Sequence, residues 1–480
     1  MKKNRLFLLV LPWAACAMAM IMPAAVHASN LDIGANTTYY VSGGATTSPL
    51  NVGTLGSDAY TTATIDAGAP SGGLLSIGGG PLAPTSGTLN IDSGGTVTNN
   101  SVGTGAVPTP FGLINAVTSS AVNINSGGML TNSGQLFSSG SGGGPFATTV
   151  TNAGTITNTG TGSLWNGSLS PAYGFPSNQP EDVLTNTGTL NNFNLLENYG
   201  TLNNNSGGML TTSGTLQTNY ILNNNPGGTL TNSGNLTVTK SGTLNNSGTM
   251  TNNNSMTINS GGTMTNSGTM TNNGSIFNFG SMTNSGTFKN LYSYTSIGGS
   301  GTYIQSAGLT KVNGTMNQGT IDIQGGTLNG TGTITATVIN EAPGTVQAGD
   351  APGTLTIFGN FTSSGTLLFE IDGTAKGTYS VLDILGKATF TGGTIVFDFI
   401  NGYIPSPGNS WDLLFYKSIV GGNTLGFTEI GLGPGLGYQF NPANGSLSVS
   451  SAPLPATLPL LGTGVLGLLG IMRRRKSRLR

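Results

Sequence analysis

The residues of this 480-residue chain that could do chemistry are few and scattered: sixteen are acidic, one is a cysteine (Cys16) and one a histidine (His27). The reaction that carboxylates alone could run is glycoside hydrolysis. It needs a pair flanking the scissile bond, one to protonate the leaving oxygen and one to act as base or nucleophile. Glu181 and Asp182 are adjacent, Glu197 stands alone, and the next acidic residue is Asp322. Glu370 and Asp372 could share a strand face, whereas Asp398, between Phe397 and Phe399, would point away from both rings. Solvated turns and strand edges account for these carboxylates more simply, because charge at an edge discourages pairing with other sheets. Related lyases often add arginine or lysine, and the body of the chain has no arginine and no histidine. Phosphate-cradling, dinucleotide and nucleophile-elbow patterns are absent or lack context, and no Ca²⁺-binding glycine-aspartate nonapeptide repeat occurs. Cys16 and His27 both fall in an N-terminal segment that reads as removable. The mature chain would then lack thiol and imidazole, which excludes cysteine nucleophiles, disulfides and Cys/His zinc sites. No catalytic residue, cofactor or metal is expected.

What could position so little chemistry is set by composition. Only 6% of residues are charged and 79 are glycine, against about 25% charged in an average domain. The basic residues cluster at the ends. Between them lie six lysines (240, 289, 311, 376, 387 and 417) and all sixteen acidic residues. An acidic body without a basic patch argues against nucleic acid and anionic membrane surfaces as partners.

Large apolar residues recur at Leu184, Leu190, Leu196, Leu202, Leu210, Leu216, Leu222, Leu230, Leu236, Leu244, Met250, Met256, Met264, Met270, Ile276, Met282 and Phe288, in steps of six or eight. From Leu202 many of these steps sum to twenty, as from Leu210 to Leu230 and from Leu244 to Met264. Segments this short are not stable strands alone. Wound so that each lies on its counterpart one coil earlier, they form a parallel β-solenoid with an apolar column inside. A helix is ruled out by the period and by the Gly, Asn, Ser and Thr content. Asn recurs two residues after the apolar position, as at Asn204, Asn224 and Asn246. It suits left-handed turn geometry, and stacking would align the amides into ladders. Thr often follows the apolar residue directly, as at Thr211, Thr231, Thr251 and Thr271. Such an outward column could order a surface, as in ice-binding solenoids. Plain strand propensity explains it too, and Asn often interrupts the column.

Residues 1–28 read as a secretory signal peptide, with Lys2, Lys3 and Arg5 before an apolar stretch and a cleavage site after Ala28. At the other end Thr457 to Met472 is uncharged. As a helix it would be about 24 Å long, short for a membrane core of ~30 Å. Arg473, Arg474, Arg475 and Lys476 follow and would remain cytoplasmic. Pro453, Leu454, Pro455 and Ala456 precede the apolar stretch. With Ala452 they resemble the VPLPA variant of the PEP-CTERM sorting signal, Ala452 standing where that pattern has Val. The resemblance covers residues 452–480. It implies a secreted precursor held transiently in the inner membrane of a Gram-negative bacterium. An exosortase-type membrane protease or transpeptidase then processes it for the cell surface or extracellular matrix. Signal peptidase and exosortase are the implied partners, with exopolysaccharide or other matrix components as candidate partners outside the cell.

Near residue 346 alternation becomes cleaner and aromatic and acidic residues denser. Gly349-Asp350-Ala351-Pro352-Gly353-Thr354-Leu355, Tyr379 to Thr394, and Gly402-Tyr403 to Leu414 resemble the terminal β module that follows solenoids in autotransporter-like and large adhesins. The resemblance implies closing coils that cap the solenoid. The expected organisation is all-β: signal peptide 1–28, looser solenoid 29–180, regular Asn/Gly/Thr-rich solenoid 181–345, terminal β module 346–450 and sorting segment 451–480. Coils of about twenty residues in three segments, wound right-handed, are expected. The expected function is that of a non-catalytic, exported structural or adhesive protein. A carbohydrate-active β-helix enzyme and an ice-binding solenoid are the alternatives.

Overall fold

The computed structural model describes residues 182–452 continuously and, before them, residues 44–46, 50–52, 62–66, 75–77, 88–91, 93–100, 120–138 and 148–167. Ala28 and the sorting segment from Pro453 to Arg480 lie outside the described residues.

The unit is a four-residue strand such as Thr-Leu-Thr-Asn, in which the second and fourth side chains are buried and the first and third face outward. Thr201–Asn204, Met209–Thr212 and Thr215–Thr218 follow one another, and the next strand, Ile221–Asn224, lies parallel on Thr201–Asn204 with Leu222 over Leu202. Thr229–Asn232 then stacks on Met209–Thr212, and Asn235–Val238 on Thr215–Thr218. Three short strands therefore make one coil, which advances about 4.8 Å along the axis. The chain is a parallel β-solenoid. Its faces are called first, second and third after those three strands.

The expected apolar column is the core: Leu202, Leu222, Leu244, Met264 and Met282 are each at most 1% exposed, as are Leu210, Leu230, Met250 and Met270. Beside it runs a second interior column of amides. On the first face Asn186 Nδ2 donates to Asn204 Oδ1 at 2.7 Å, Asn204 to Asn224 at 2.8 Å, Asn224 to Asn246 at 2.7 Å, Asn246 to Asn266 at 2.6 Å and Asn266 to Asn284 at 2.7 Å. Each amide also donates to a backbone carbonyl across the corner, as Asn224 does to Thr249 at 2.9 Å. A carboxamide has one acceptor oxygen and two donor hydrogens. This stacking uses all three functions, which is what makes full burial tolerable. On the first face position four thus uses Asn as an interior polar strut, whereas on the third face Thr218, Val238 and Ile258 take the same place. Left-handed geometry is not the reason, since the only described non-glycine residues with positive φ are Ala351 and Asn401.

Corners carry glycine because the coil below comes close. A Cβ on Gly234 would lie 2.0 Å from the Gly214 carbonyl oxygen, and one on Gly268 would lie 2.2 Å from that of Gly248. Parallel stacking reaches back through Thr88–Ile91, which pairs with Ser120–Ile124, to Leu50–Val52, and forward past residue 346. Thr366–Ile371 stacks under Thr394–Phe399, and that strand under Gly426–Ile430. A small antiparallel sheet of Ser410–Asp412, Ser446–Ser451 and Leu436–Asn441 lies at this end. Phe397, Phe440, Phe427 and Tyr438 pack there as a cluster of aromatic rings. Among the described residues no helix is long and apolar enough to cross a membrane.

Candidate functional site

The carboxylates were the first candidates, and the winding brings one pair of them side by side, Glu370 and Asp398, while Glu197 and Asp322 stand elsewhere on the rod. Glu197 lies under Trp165 in the adjacent coil and accepts a 2.6 Å hydrogen bond from the indole Nε1. Tyr199 donates to the same carboxylate oxygen at 3.4 Å. Burial, reinforced by the charge of Glu197 and by that hydrogen bond, pushes the Tyr199 phenol up to about 12. Trp165 and Glu197 are thirty-two residues apart, so nothing local in the sequence announces their meeting. Asp182 corrects the expectation of solvated carboxylates, because it is fully buried. Asp398 does point away from Phe397 and Phe399, which are 0% and 5% exposed. Its register partner on the neighbouring strand is Glu370, while Asp372 lies beyond the end of that strand. Glu370 accepts from Gln347 Nε2 at 2.9 Å, and Asp372 from Asn401 Nδ2 at 3.1 Å. Among the described residues no group of three or more acidic, Cys or His side chains could hold a metal ion. The single ion pair among them, Lys311 with Asp350 at 2.5 Å, sits at the surface.

The outward faces are therefore the larger candidate surface, and winding sorts their residues. The Asn residues that interrupt the Thr column in the linear sequence gather largely on the first face. There Asn223 donates to Asn203 at 2.8 Å, Asn245 to Asn223 at 2.9 Å, and Thr265 to Asn245 at 2.7 Å. On that face neighbouring coils bond side chain to side chain. The second face collects threonine: Thr211, Thr231, Thr251 and Thr271 stack in one outward column and Thr229, Thr249, Thr269 and Thr287 in the other. None of these eight hydroxyls has a side-chain partner among the described residues, so they are presented to solvent. Lys289 and Met209 bound the array.

The expected processing residues Ala28, Pro453, Leu454, Pro455, Ala456, Arg473, Arg474, Arg475 and Lys476 lie outside the described residues. No protein-family model matches the chain. No curated protein matches it either.

Proposed function

We propose that this chain is an exported, non-catalytic structural or adhesive protein of the cell surface or extracellular matrix, acting as a stiff, charge-poor rod. The observation that carries the reading is the continuous ladder of parallel pairings from Val183 to Val420, with its interior amides bonded coil to coil along the axis. Such an array resists bending because each coil is held by both neighbours. We read the coils as right-handed and the antiparallel sheet at the C-terminal end as the cap that shields the last parallel edges from further pairing. The two ends supply the address. A signal peptide is removed after Ala28, and a PEP-CTERM-type segment holds the precursor in the inner membrane until an exosortase acts near Pro453-Leu454-Pro455. Replacing those three residues by Ala is expected to leave the precursor in the inner-membrane fraction of its host. Release at the normal rate would overturn the sorting assignment.

A second reading, an ice-binding face, is favoured by the threonine sorting. Hydroxyls about 4.8 Å apart along the axis and about 6.6 Å apart across the strand form a flat, uncharged lattice. Purified chain at micromolar concentration should then reshape growing ice crystals, and Thr251→Lys should abolish the effect. Ordinary crystal growth in the parent protein removes this reading.

A further inference from the structure

One groove has no part in the reading above. It runs along the rod where the third face passes into the first. In earlier coils a turn separates these faces. At Thr315–Ile323, Thr333–Asn340 and Val381–Phe390 the chain crosses the corner as one strand, and in the coil between the last two it breaks at Phe358–Asn360 between Thr354–Ile357 and Phe361–Ser363. The register slips at this crossing, between Asn317 and Thr320 and between Ile384 and Lys387. The slip leaves an open groove of about 610 Å³.

Its floor is Ala336, Gly359 and Gly386. A Cβ on Gly359 would lie 1.9 Å from the Ala336 carbonyl oxygen and one on Gly386 2.1 Å from that of Gly359, so stacking itself keeps the floor low. One wall is the outward column Asn317, Thr335, Phe358 and Leu385; Thr337 and Asn360 stand opposite. Gln318 closes one end and is spent on the fold, accepting from Asn278 at 2.7 Å and donating to the Gly298 carbonyl at 2.9 Å.

The walls are not spent. The Asn317 carboxamide and the Thr335 and Thr337 hydroxyls make no side-chain hydrogen bond among the described residues. Asn360 uses its oxygen to accept from Lys387 N at 3.0 Å, which leaves its NH₂ free to donate. The Phe358 ring is 51% exposed and Leu385 46%. No lining residue is charged. A partner must therefore offer an apolar face to the ring and many hydroxyls to the amides, and carry no charge of its own. A sugar ring does this, with its C–H face on the aromatic surface and its hydroxyls at the edges. An anionic glycan would find no countercharge on the lining itself and only one cation beside it, the exposed Lys387 that follows Gly386, and a hydrophobic peptide would bury the free amides unpaired. The wall column continues past Asn317 to Gly298 and Phe277, which are register partners, Phe277 being 42% exposed. Four coil steps separate Phe277 from Phe358, about 19 Å, enough for a short run of linked sugars.

We propose that this groove binds a neutral polysaccharide lying along the rod axis. The assignment rests on the reading of the chain as a rod displayed outside the cell. Its test is a direct binding measurement, which does not depend on sorting. Purified full chain is run in affinity gels containing laminarin, galactomannan, xyloglucan or dextran, with alginate as the anionic comparison. At least one neutral polymer should retard it and alginate should not. Phe358→Ala should weaken that binding about tenfold, Phe358→Trp should retain it, and Phe193→Ala, at an exposed ring outside the groove (52% exposed), should leave it unchanged. The proposal is overturned if no neutral polymer retards the chain, if alginate is preferred, or if Phe358→Ala binds like the parent. Those results would leave the sorting experiment on Pro453-Leu454-Pro455 untouched. Conversely, normal release of the alanine variant would leave the groove standing.

Discussion

Asn246→Asp should destabilise the solenoid by roughly 3–5 kcal/mol at neutral pH, the range found when a buried polar pair is left with an uncompensated charge. Asn246 sits in the middle of the first-face amide column. It accepts from Asn224 at 2.7 Å and donates to Asn266 Oδ1 at 2.6 Å and to the Thr269 carbonyl at 3.0 Å. An aspartate keeps the acceptor and replaces both donor hydrogens by lone pairs aimed at two oxygens. The site is 1% exposed, so water cannot relieve the repulsion. The introduced carboxyl should therefore titrate well above the ordinary carboxylate range of about 4. With the folded pKa raised, the loss is smallest in acid, where the group is protonated in both states, and grows as pH rises above the unfolded value. Guanidinium unfolding followed by circular dichroism at pH 4 and pH 7 would show the gap to the parent widening with pH. Asn246→Ala, which orphans the same partners without adding charge, should cost about 2–3 kcal/mol with little pH dependence. Because coils can open locally, hydrogen exchange at Asn224, Asn246 and Asn266 should localise the loss. An aspartate variant within 1 kcal/mol of the parent at pH 7 would mean that the column does not hold the coils together.

How much of this was legible in the sequence depends on how far apart the responsible residues are. The Leu and Met steps of six and eight mark the buried column directly, because a strand of four and a short corner repeat locally. The Asn register was equally visible, and so was the amide ladder it forms along the stack; what was not visible is that the ladder runs through the interior. An Asn that closes a turn and an Asn that struts an interior look alike until the carbonyl across the corner is in place. The threonine array was hidden by the same winding. Along the chain Thr211, Thr231 and Thr251 are interrupted by Asn203, Asn223 and Asn245, and only the coil sends the two sets to different faces. The groove at Phe358 was invisible for a related reason: it comes from a register slip between strands, and no spacing within one segment encodes it.

Glycine shows the point most sharply, because identical substitutions should have opposite signs. Gly234 and Gly160 both occupy corners, and neither has a positive φ that would itself demand glycine. Around Gly160 a Cβ would meet nothing within 4 Å, whereas at Gly234 it would lie 2.0 Å from the Gly214 oxygen and 2.5 Å from the Ser213 oxygen, both backbone atoms. The Gly214 carbonyl is already engaged by Asn235 N at 2.9 Å, so it cannot swing aside without losing a coil-to-coil hydrogen bond. Gly234→Ala must then prise two coils apart, at a cost of about 3 kcal/mol from overpacking and the weakened bond. Gly160→Ala meets no obstacle and restricts the unfolded chain, so it should be neutral or stabilising by up to about 1 kcal/mol. Thermal or guanidinium unfolding of the two variants against the parent reads both signs in one experiment. If the two alanines behaved alike, the glycines would be serving chain flexibility. Opposite signs mean that corner glycine is set by the spacing of the coils, roughly 4.8 Å, and that the glycine-rich composition of the rod follows from how tightly it is wound.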